Sequence, residues 1–197
     1  METDTPDEII AATSRALCEY GYAGLTMQRI AEEASMTTAG IHYHFDTKAE
    51  LLNTFLDDLV ARFEARLACD VDDPRERLDN FVDTVFARSQ TPDEFPVALM
   101  EMKGQSPYQS SFRERLLALD DVMRSVVANA VADGVDAGHF EPADPDEVAR
   151  HVVTAIDGTH IRMVALGENV DSTRATVEQY LELQLGWRPA SKSEVVA

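Results

Sequence analysis

Apolar positions recur along this chain with the period of a helix, and no stretch alternates apolar and polar residues as a strand would. The pattern predicts a first helix near residues 7–20, ended by Gly21, and a pair of short helices between Thr26 and Phe45. A long helix starts after Thr47 and carries Leu51, Leu52, Phe55, Leu59, Phe63 and Leu67. Asp73-Pro74 reads as an N-cap followed by a proline in the first helical turn. That helix presents Leu78, Phe81, Val82, Val85 and Phe86, and a break follows at residues 90–96. A short apolar helix is predicted at Val97 to Met102. Ser106-Pro107 is then expected to open a long helix with Phe112, Leu116, Leu119, Val122, Met123, Val126 and Val127, closing at Gly134. After a polar loop, Asp144-Pro145 repeats the capping pattern. The middle of that helix, Val152 to Ile156, is apolar nearly all round, as is the last helix, Ser172 to Leu185, with Val177, Tyr180, Leu181, Leu183 and Leu185. Burial on more than one side of two adjacent helices suggests a subunit interface. Gly158 there would permit close backbone approach, and the tail after Trp187 is expected to fray. The chain is thus read as all-α, with about nine helices.

Residues 26–48 are the most informative stretch. Thr26 is a candidate N-cap for a helix whose Ile30, Ala31 and Ala34 share one face. Ser35 and Met36 make a tight turn, with Met36 pointing to the core. Thr37 caps a second helix, which buries Ile41 and Phe45 and exposes Thr38, Gly40, His42, Tyr43 and His44. Two short helices joined this way are a helix-turn-helix, whose second helix enters the DNA major groove. Small groups, hydrogen bonders and an aromatic on that face suit a groove and its phosphates.

This stretch resembles the TetR family of transcriptional regulators. The resemblance begins at Glu8-Ile9-Ile10-Ala11-Ala12 and Glu19-Tyr20-Gly21-Tyr22. It continues through Leu25-Thr26-Met27, Ile30-Ala31 and Ile41-His42-Tyr43-His44-Phe45 to Lys48 and Leu51-Leu52. It covers about the first quarter of the chain, with a looser echo between Gly134 and Gly158. The resemblance implies a DNA-binding domain at 1–47 and a helical ligand-binding and dimerisation domain at 48–197. It implies a homodimer joined through a four-helix bundle of the last two helices, a pseudo-palindromic double-stranded DNA operator, and an apolar or amphipathic small-molecule effector that releases a repressor. The DNA-contacting positions it marks are Thr26, Thr37, Thr38, Gly40, His42, Tyr43, His44 and Lys48. Departures are visible: His42 stands where the family most often has tyrosine, Ser35 replaces a common turn glycine, and no lysine or arginine lies near Thr38.

Charge is the anomaly. Thirty-six acids face seventeen bases, for a net −19. Residues 1–50 hold three bases against nine acids, although DNA binders usually carry a basic footprint. Only three bases are lysine and nineteen acids are aspartate, a balance like that of a salt-in halophile, and a halophilic archaeon is the expected source. In molar salt the Debye length is about 3 Å, so self-repulsion is screened. A chain of 197 residues holds one or two small domains. The polar N-terminus and the absence of a long apolar run point to a cytoplasmic protein with no membrane partner. Cys18 and Cys69 have no metal-ligand spacing and read as small thiols in a reducing compartment.

No metal or other cofactor is expected. His42 and His44 point about 200° apart on a helix, and His151 and His160 about 180° apart. His160 and Asp157, three apart, either line a ligand pocket or form a satisfied core hydrogen bond. Phe86, Met100, Phe112, Met123 and Met163 are the other candidate pocket residues, drawn from a larger set that is core by default. Lys48 has a second available role, pairing with a neighbour such as Asp46. The chain shows no Gly-rich phosphate loop, no nucleophile elbow and no Cys-His pair, so it is read as a non-enzyme. Two rivals remain: a helical ligand-binding or scaffold protein that has lost DNA binding, and a four-helix carboxylate metalloprotein, which would need Glu-x-x-His motifs.

Overall fold

The structure, a computed structural model, describes residues 5–67, 71–86 and 94–189, with the side chains of Thr5, Glu94 and Phe95 excluded. Cys69, most of the break at 90–96 and the tail past 189 lie outside these residues. The described residues form nine helices and no strand: α1 (Thr5–Gly24), α2 (Met27–Glu33), α3 (Thr38–His44), α4 (Lys48–Leu67), α5 (Pro74–Val85), α6 (Glu94–Gln105), α7 (Ser110–Asp136), α8 (Pro145–Leu166) and α9 (Val170–Leu185). They divide into two compact units, residues 1–62 with 89–118, and residues 63–88 with 119–197. The unit holding the helix-turn-helix includes most of α4, all of α6 and the start of α7.

In the first unit α1 packs against α2 and α6. Ile9, Ala12, Leu17, Leu25, Ile30, Ile41, Leu51, Leu52, Ala98 and Met102 are almost wholly buried. The expected end of the first helix falls at Gly21, whose φ of 63° and ψ of 171° interrupt the helical run before one more turn. That backbone region is open to glycine and strained for other residues. Arg115 on α7 ties down α4 by donating to the Asn53 carbonyl at 3.2 Å and to the Asp57 carboxylate at 2.9 Å.

The second unit is built on well-capped helices. Asp73 accepts from the Arg75 amide at 2.9 Å, and the Arg75 side chain and amide hold its carboxyl down to about 2. Asp144 accepts from the amides of Asp146 and Glu147 at 3.0 and 3.1 Å. Asn169 caps α9 two residues earlier than the sequence pattern suggests, and Gly167 and Gly186 end α8 and α9 in the left-handed region. Trp187 is buried and its indole donates to the Arg75 carbonyl at 3.4 Å, so the chain is anchored at this point.

Two expected boundaries on α7 shift. Ser106 closes α6 instead of opening α7: its amide and hydroxyl both donate to the Lys103 carbonyl, at 3.2 and 2.9 Å. The Gln109 carbonyl then receives the first amides of α7. At the other end the helix runs past Gly134 to Asp136, and Gly138, at φ 70°, turns the chain. Gly134 serves packing, since a Cβ there would lie 2.1 Å from the Phe140 ring.

The double-sided burial of α8 and α9 is in large part met within one chain. Val152, Val153, Ile156, Val177, Leu181 and Leu185 are all buried in the single protomer. The large apolar side chains of these two helices left in solvent are Ile161, Leu166 and Leu183, the last 74% exposed. The residues expected at an interface are thus mainly protomer core, because each helix packs on the other and on its own unit.

Ser35 is the one non-glycine residue with positive φ among the described residues, at 53°. The left-handed region costs a residue with a Cβ roughly 1–2 kcal/mol, and glycine returns part of that gain as lost chain entropy. Ser35→Gly is expected to stabilise the protein by about 0.5–1 kcal/mol in thermal unfolding followed by circular dichroism. An unchanged or lower midpoint would mean that the turn carries no strain.

Candidate nucleic-acid interface

Each short helix of the motif starts on a threonine cap. Thr26 accepts from the Arg29 amide at 3.2 Å, and Thr37 from the Gly40 amide at 3.1 Å. The turn closes through Met36, whose amide donates to the Ala31 carbonyl at 2.8 Å. A side chain at position 40 would press on Met36 Cε at 3.3 Å and Thr37 Oγ1 at 3.4 Å, so glycine keeps the start of α3 close to the turn. Ile41 and Phe45 are buried, which orients the helix. On the other side stand Tyr43, 85% exposed, and the exposed His42, with Thr38, Gly40 and His44 half-buried. The rings of Tyr43 and His44 meet edge to face at 5.0 Å, giving a small aromatic ridge. The structure thus brings together seven of the eight marked residues as caps or outward groups of α2 and α3.

Lys48 is placed differently. Its ammonium donates to the carbonyls of Leu25 at 3.0 Å and Tyr22 at 3.4 Å, and lies 4.4 Å from the centre of the Tyr22 ring. Burial pushes its pKa below the ordinary lysine value. It clamps the exit of α1 to the start of α4. The other two cations of the first fifty residues are engaged as well. Arg15 pairs with Glu8 at 3.0 Å and Glu33 at 3.5 Å, and donates to the Glu33 carbonyl. Arg29 donates to the Gly24 carbonyl at 2.5 Å and stacks 4.3 Å over Tyr20. The cations of this segment hold helices together.

Tyr22 is also where α6 meets the reading head. Its amide donates to the Glu101 carboxylate at 2.8 Å, and its ring meets Phe112 edge-on at 6.4 Å. Sequence reasoning missed Glu101: it lies seventy-nine positions from its partner, in no motif, and only the fold joins them.

The candidate pocket residues fall in both units. Phe112, fully buried, and the half-buried Met100 belong to the first unit; Phe86, Met123, Asp157, His160 and Met163 belong to the second. Among the latter, Phe86 and His160 come together with ring centres 6.0 Å apart. Asp157, His160 and Met163 are half-buried, and Met123 is core. No group of three metal-binding side chains occurs among the described residues, and none of their helices is long and apolar enough to cross a membrane.

Removing the Glu101 acceptor leaves the Tyr22 amide unmet beneath α6. Glu101→Ala is expected to cost about 1–2 kcal/mol in chemical unfolding, and Glu101→Gln less, because its amide oxygen still accepts. Equal losses in the two variants would assign the effect to charge or packing instead of this bond.

Comparison with known proteins agrees with this geometry. Residues 9–54 match the N-terminal domain described as bacterial regulatory proteins, tetR family, and residues 74–186 match the BetI-type transcriptional repressor, C-terminal. The chain is 28% identical to the HTH-type transcriptional regulator BetI of Ectopseudomonas mendocina, over 94% of this chain and 95% of the relative. A TetR transcription regulator from Haloarcula marismortui superposes with a TM-score of 0.85 at 38% identity, covering 92% of this chain and 98% of that one. A Saccharomonospora viridis protein solved in complex with choline superposes with a TM-score of 0.83 at 24% identity, covering 91% and 96%. With a helix-turn-helix at its N-terminus and a BetI-type domain after it, the chain belongs to the TetR family of transcriptional regulators.

Proposed function

We propose that this regulator is a homodimeric repressor that binds a pseudo-palindromic operator through α3 and is released by a small molecule. The observation that carries the reading is the capped α2–turn–α3 unit, with Ile41 and Phe45 buried and Tyr43 and His42 turned to solvent. Two copies of α3 would sit roughly 34–36 Å apart to enter successive major grooves. A ligand that favours another arrangement of the helices would draw the dimer off that spacing. Helix α4 is the natural lever, since its residues belong to both compact units. The rival reading, a scaffold that has lost DNA binding, is disfavoured by the match of residues 9–54 to the regulatory DNA-binding domain.

The effector is proposed to be apolar or amphipathic. Phe86 and His160, with Asp157 on the same helix, offer aromatic faces and a carboxylate, a set suited to organic cations. Choline is therefore a reasonable first compound to try. The protein is proposed to act in the cytoplasm, without a metal or other cofactor and without catalysis.

Dimerisation is assigned to the solvent-facing stripes of α8 and α9. His151, Thr154, Gly158, Ile161 and Ala165 recur at helical spacing on α8, and Ser172, Thr176, Gln179 and Leu183 on α9. A Cβ at Gly158 would meet nothing within 4 Å in the single chain, which leaves room for a partner backbone. Leu183→Glu, exposed and far less disruptive than charge at the buried Leu181, is expected to yield folded monomers in sedimentation velocity. Wild-type protein that sediments as a monomer at micromolar concentration overturns the dimer.

Tyr43→Ala is expected to weaken operator binding at least about tenfold while leaving helicity and dimerisation intact. Salt dependence tests the same interface from another side. A basic protein loses affinity as salt rises, with a slope near −0.9 per neutralised phosphate. Here the three cations of the reading head are engaged internally, and acids outnumber them three to one. Salt screens acid–phosphate repulsion, and cations can be taken up between the two. Binding is expected to stay flat or rise from low to molar potassium chloride, with folding stability rising in parallel, as suits a protein of a halophilic source. A steep conventional loss of affinity, from a fold already stable in dilute buffer, refutes the salt adaptation and leaves the regulator assignment standing.

A further inference from the structure

The second unit carries a cleft of about 140 Å³ lined by Leu67, Arg77, Asn80, Phe81, Val126 and Asn129. It lies where the end of α4 meets α5 and α7. Arg77, Asn80 and Phe81 fall on one face of α5, at i, i+3 and i+4, while Val126 and Asn129 are three apart on α7. One part of the lining is apolar: Phe81 is fully buried, Leu67 nearly so, and Val126 half-buried. The remainder is donor-rich, with one guanidinium and two carboxamides.

Arg77 is only partly satisfied. One terminal nitrogen pairs with Asp133 at 2.5 Å, and Asp133 itself is 61% exposed. The Nε is buried and has no hydrogen-bond partner. A buried donor on a cation is costly to leave unmet, so this atom calls for an acceptor. A cation is the wrong guest, because the guanidinium repels it. A dianion is too highly charged for a site in which Asp133 already offsets one positive charge. The size is set by the volume: an engineered cavity of roughly 150 Å³ holds benzene, about six non-hydrogen atoms.

We propose that this cleft binds a small monocarboxylate with a short apolar tail. One carboxylate oxygen accepts from Arg77 Nε, the other from the amide of Asn80 or Asn129, and the tail lies along Phe81, Val126 and Leu67. The unmet guanidinium N–H favours a charged oxygen acceptor over a neutral one, and the apolar wall selects an organic acid over an inorganic anion. The chemistry is opposite to that of an organic-cation effector, so this is a separate ligand site on the regulatory unit.

The test uses the full chain and calorimetric titration at fixed potassium chloride with three six- or five-atom probes: butyrate, butan-1-ol and butylammonium. Butyrate is expected to bind once per chain, butanol at least about tenfold more weakly, and butylammonium not at all. Arg77→Met keeps the apolar stem and removes the donors; it should weaken butyrate binding by at least about tenfold. Val126→Phe fills the cleft while leaving the Arg77–Asp133 pair in place, and should abolish binding with the circular dichroism spectrum unchanged. This second variant decides the matter if Arg77→Met fails to fold. Absence of butyrate binding to the wild type, equal affinity for butanol, or full affinity in folded Val126→Phe overturns the proposal. None of these results bears on operator binding, which is measured independently.

Discussion

The exit of α1 is the point on which the reading head depends. Gly21 leaves helical geometry there, and the Tyr22 carbonyl keeps only one long backbone bond, from the Leu25 amide at 3.3 Å. Lys48, the first residue of α4, donates from its ammonium to the carbonyls of Tyr22 and Leu25 and covers the Tyr22 ring. Glu101 of α6 takes the Tyr22 amide, and Phe112 of α7 abuts the ring. One residue therefore joins four helices, through its donor, its acceptor and its aromatic face. A charge half removed from water strengthens such hydrogen bonds, and it also makes them expensive to lose.

That arrangement consumes charge that a DNA binder would ordinarily spend on phosphate. Arg15 bridges α1 and α2, Arg29 folds back on Gly24 and Tyr20, and Lys48 is the clamp. What faces outward from α3 is uncharged or weakly basic: Thr38, Gly40, His42, Tyr43 and His44. On the proposed reading, recognition by such a surface would rest on shape, hydrogen bonding and an exposed aromatic ring more than on counterion release. The acid excess of the chain and the internal use of cations would make the proposed α3 interface electrostatically unfavourable toward phosphate in dilute buffer.

The regulatory unit solves a different problem. Its helices are fixed at their ends by Asp73, Asp144 and Asn169, side chains that meet the first orphan amides, and by Gly167 and Gly186 at the exits. The buried Glu178 is held by Arg174, which also reaches the exposed Asp83 on α5, so the core carboxylate is paired and its half-buried partner bridges two acids. With ends and core secured within one chain, the exposed stripes of α8 and α9 are left for the proposed partner, and the cleft beside Arg77 for the proposed carboxylate.

Local chemistry made much of this legible in sequence. Caps such as Thr26, Thr37, Asp73 and Asp144 act on amides two or three positions away, and the stripes Leu51 to Leu67 and Leu78 to Phe86 follow from helical period, so both appear in order along the chain. Features set by distant partners did not. Lys48 reads as a DNA-contacting position or a partner of Asp46, and only the fold brings its ammonium to the carbonyls of Tyr22 and Leu25. Gly134 reads as a helix stop until Phe140 folds over it. Leu181 reads as an interface residue because periodicity reports that a side chain is buried, not which neighbour buries it. The family resemblance, carried by a short contiguous motif, was determined by sequence alone. The Glu101–Tyr22 bond and the Arg77 cleft were decided only by tertiary structure, since each joins segments far apart along the chain.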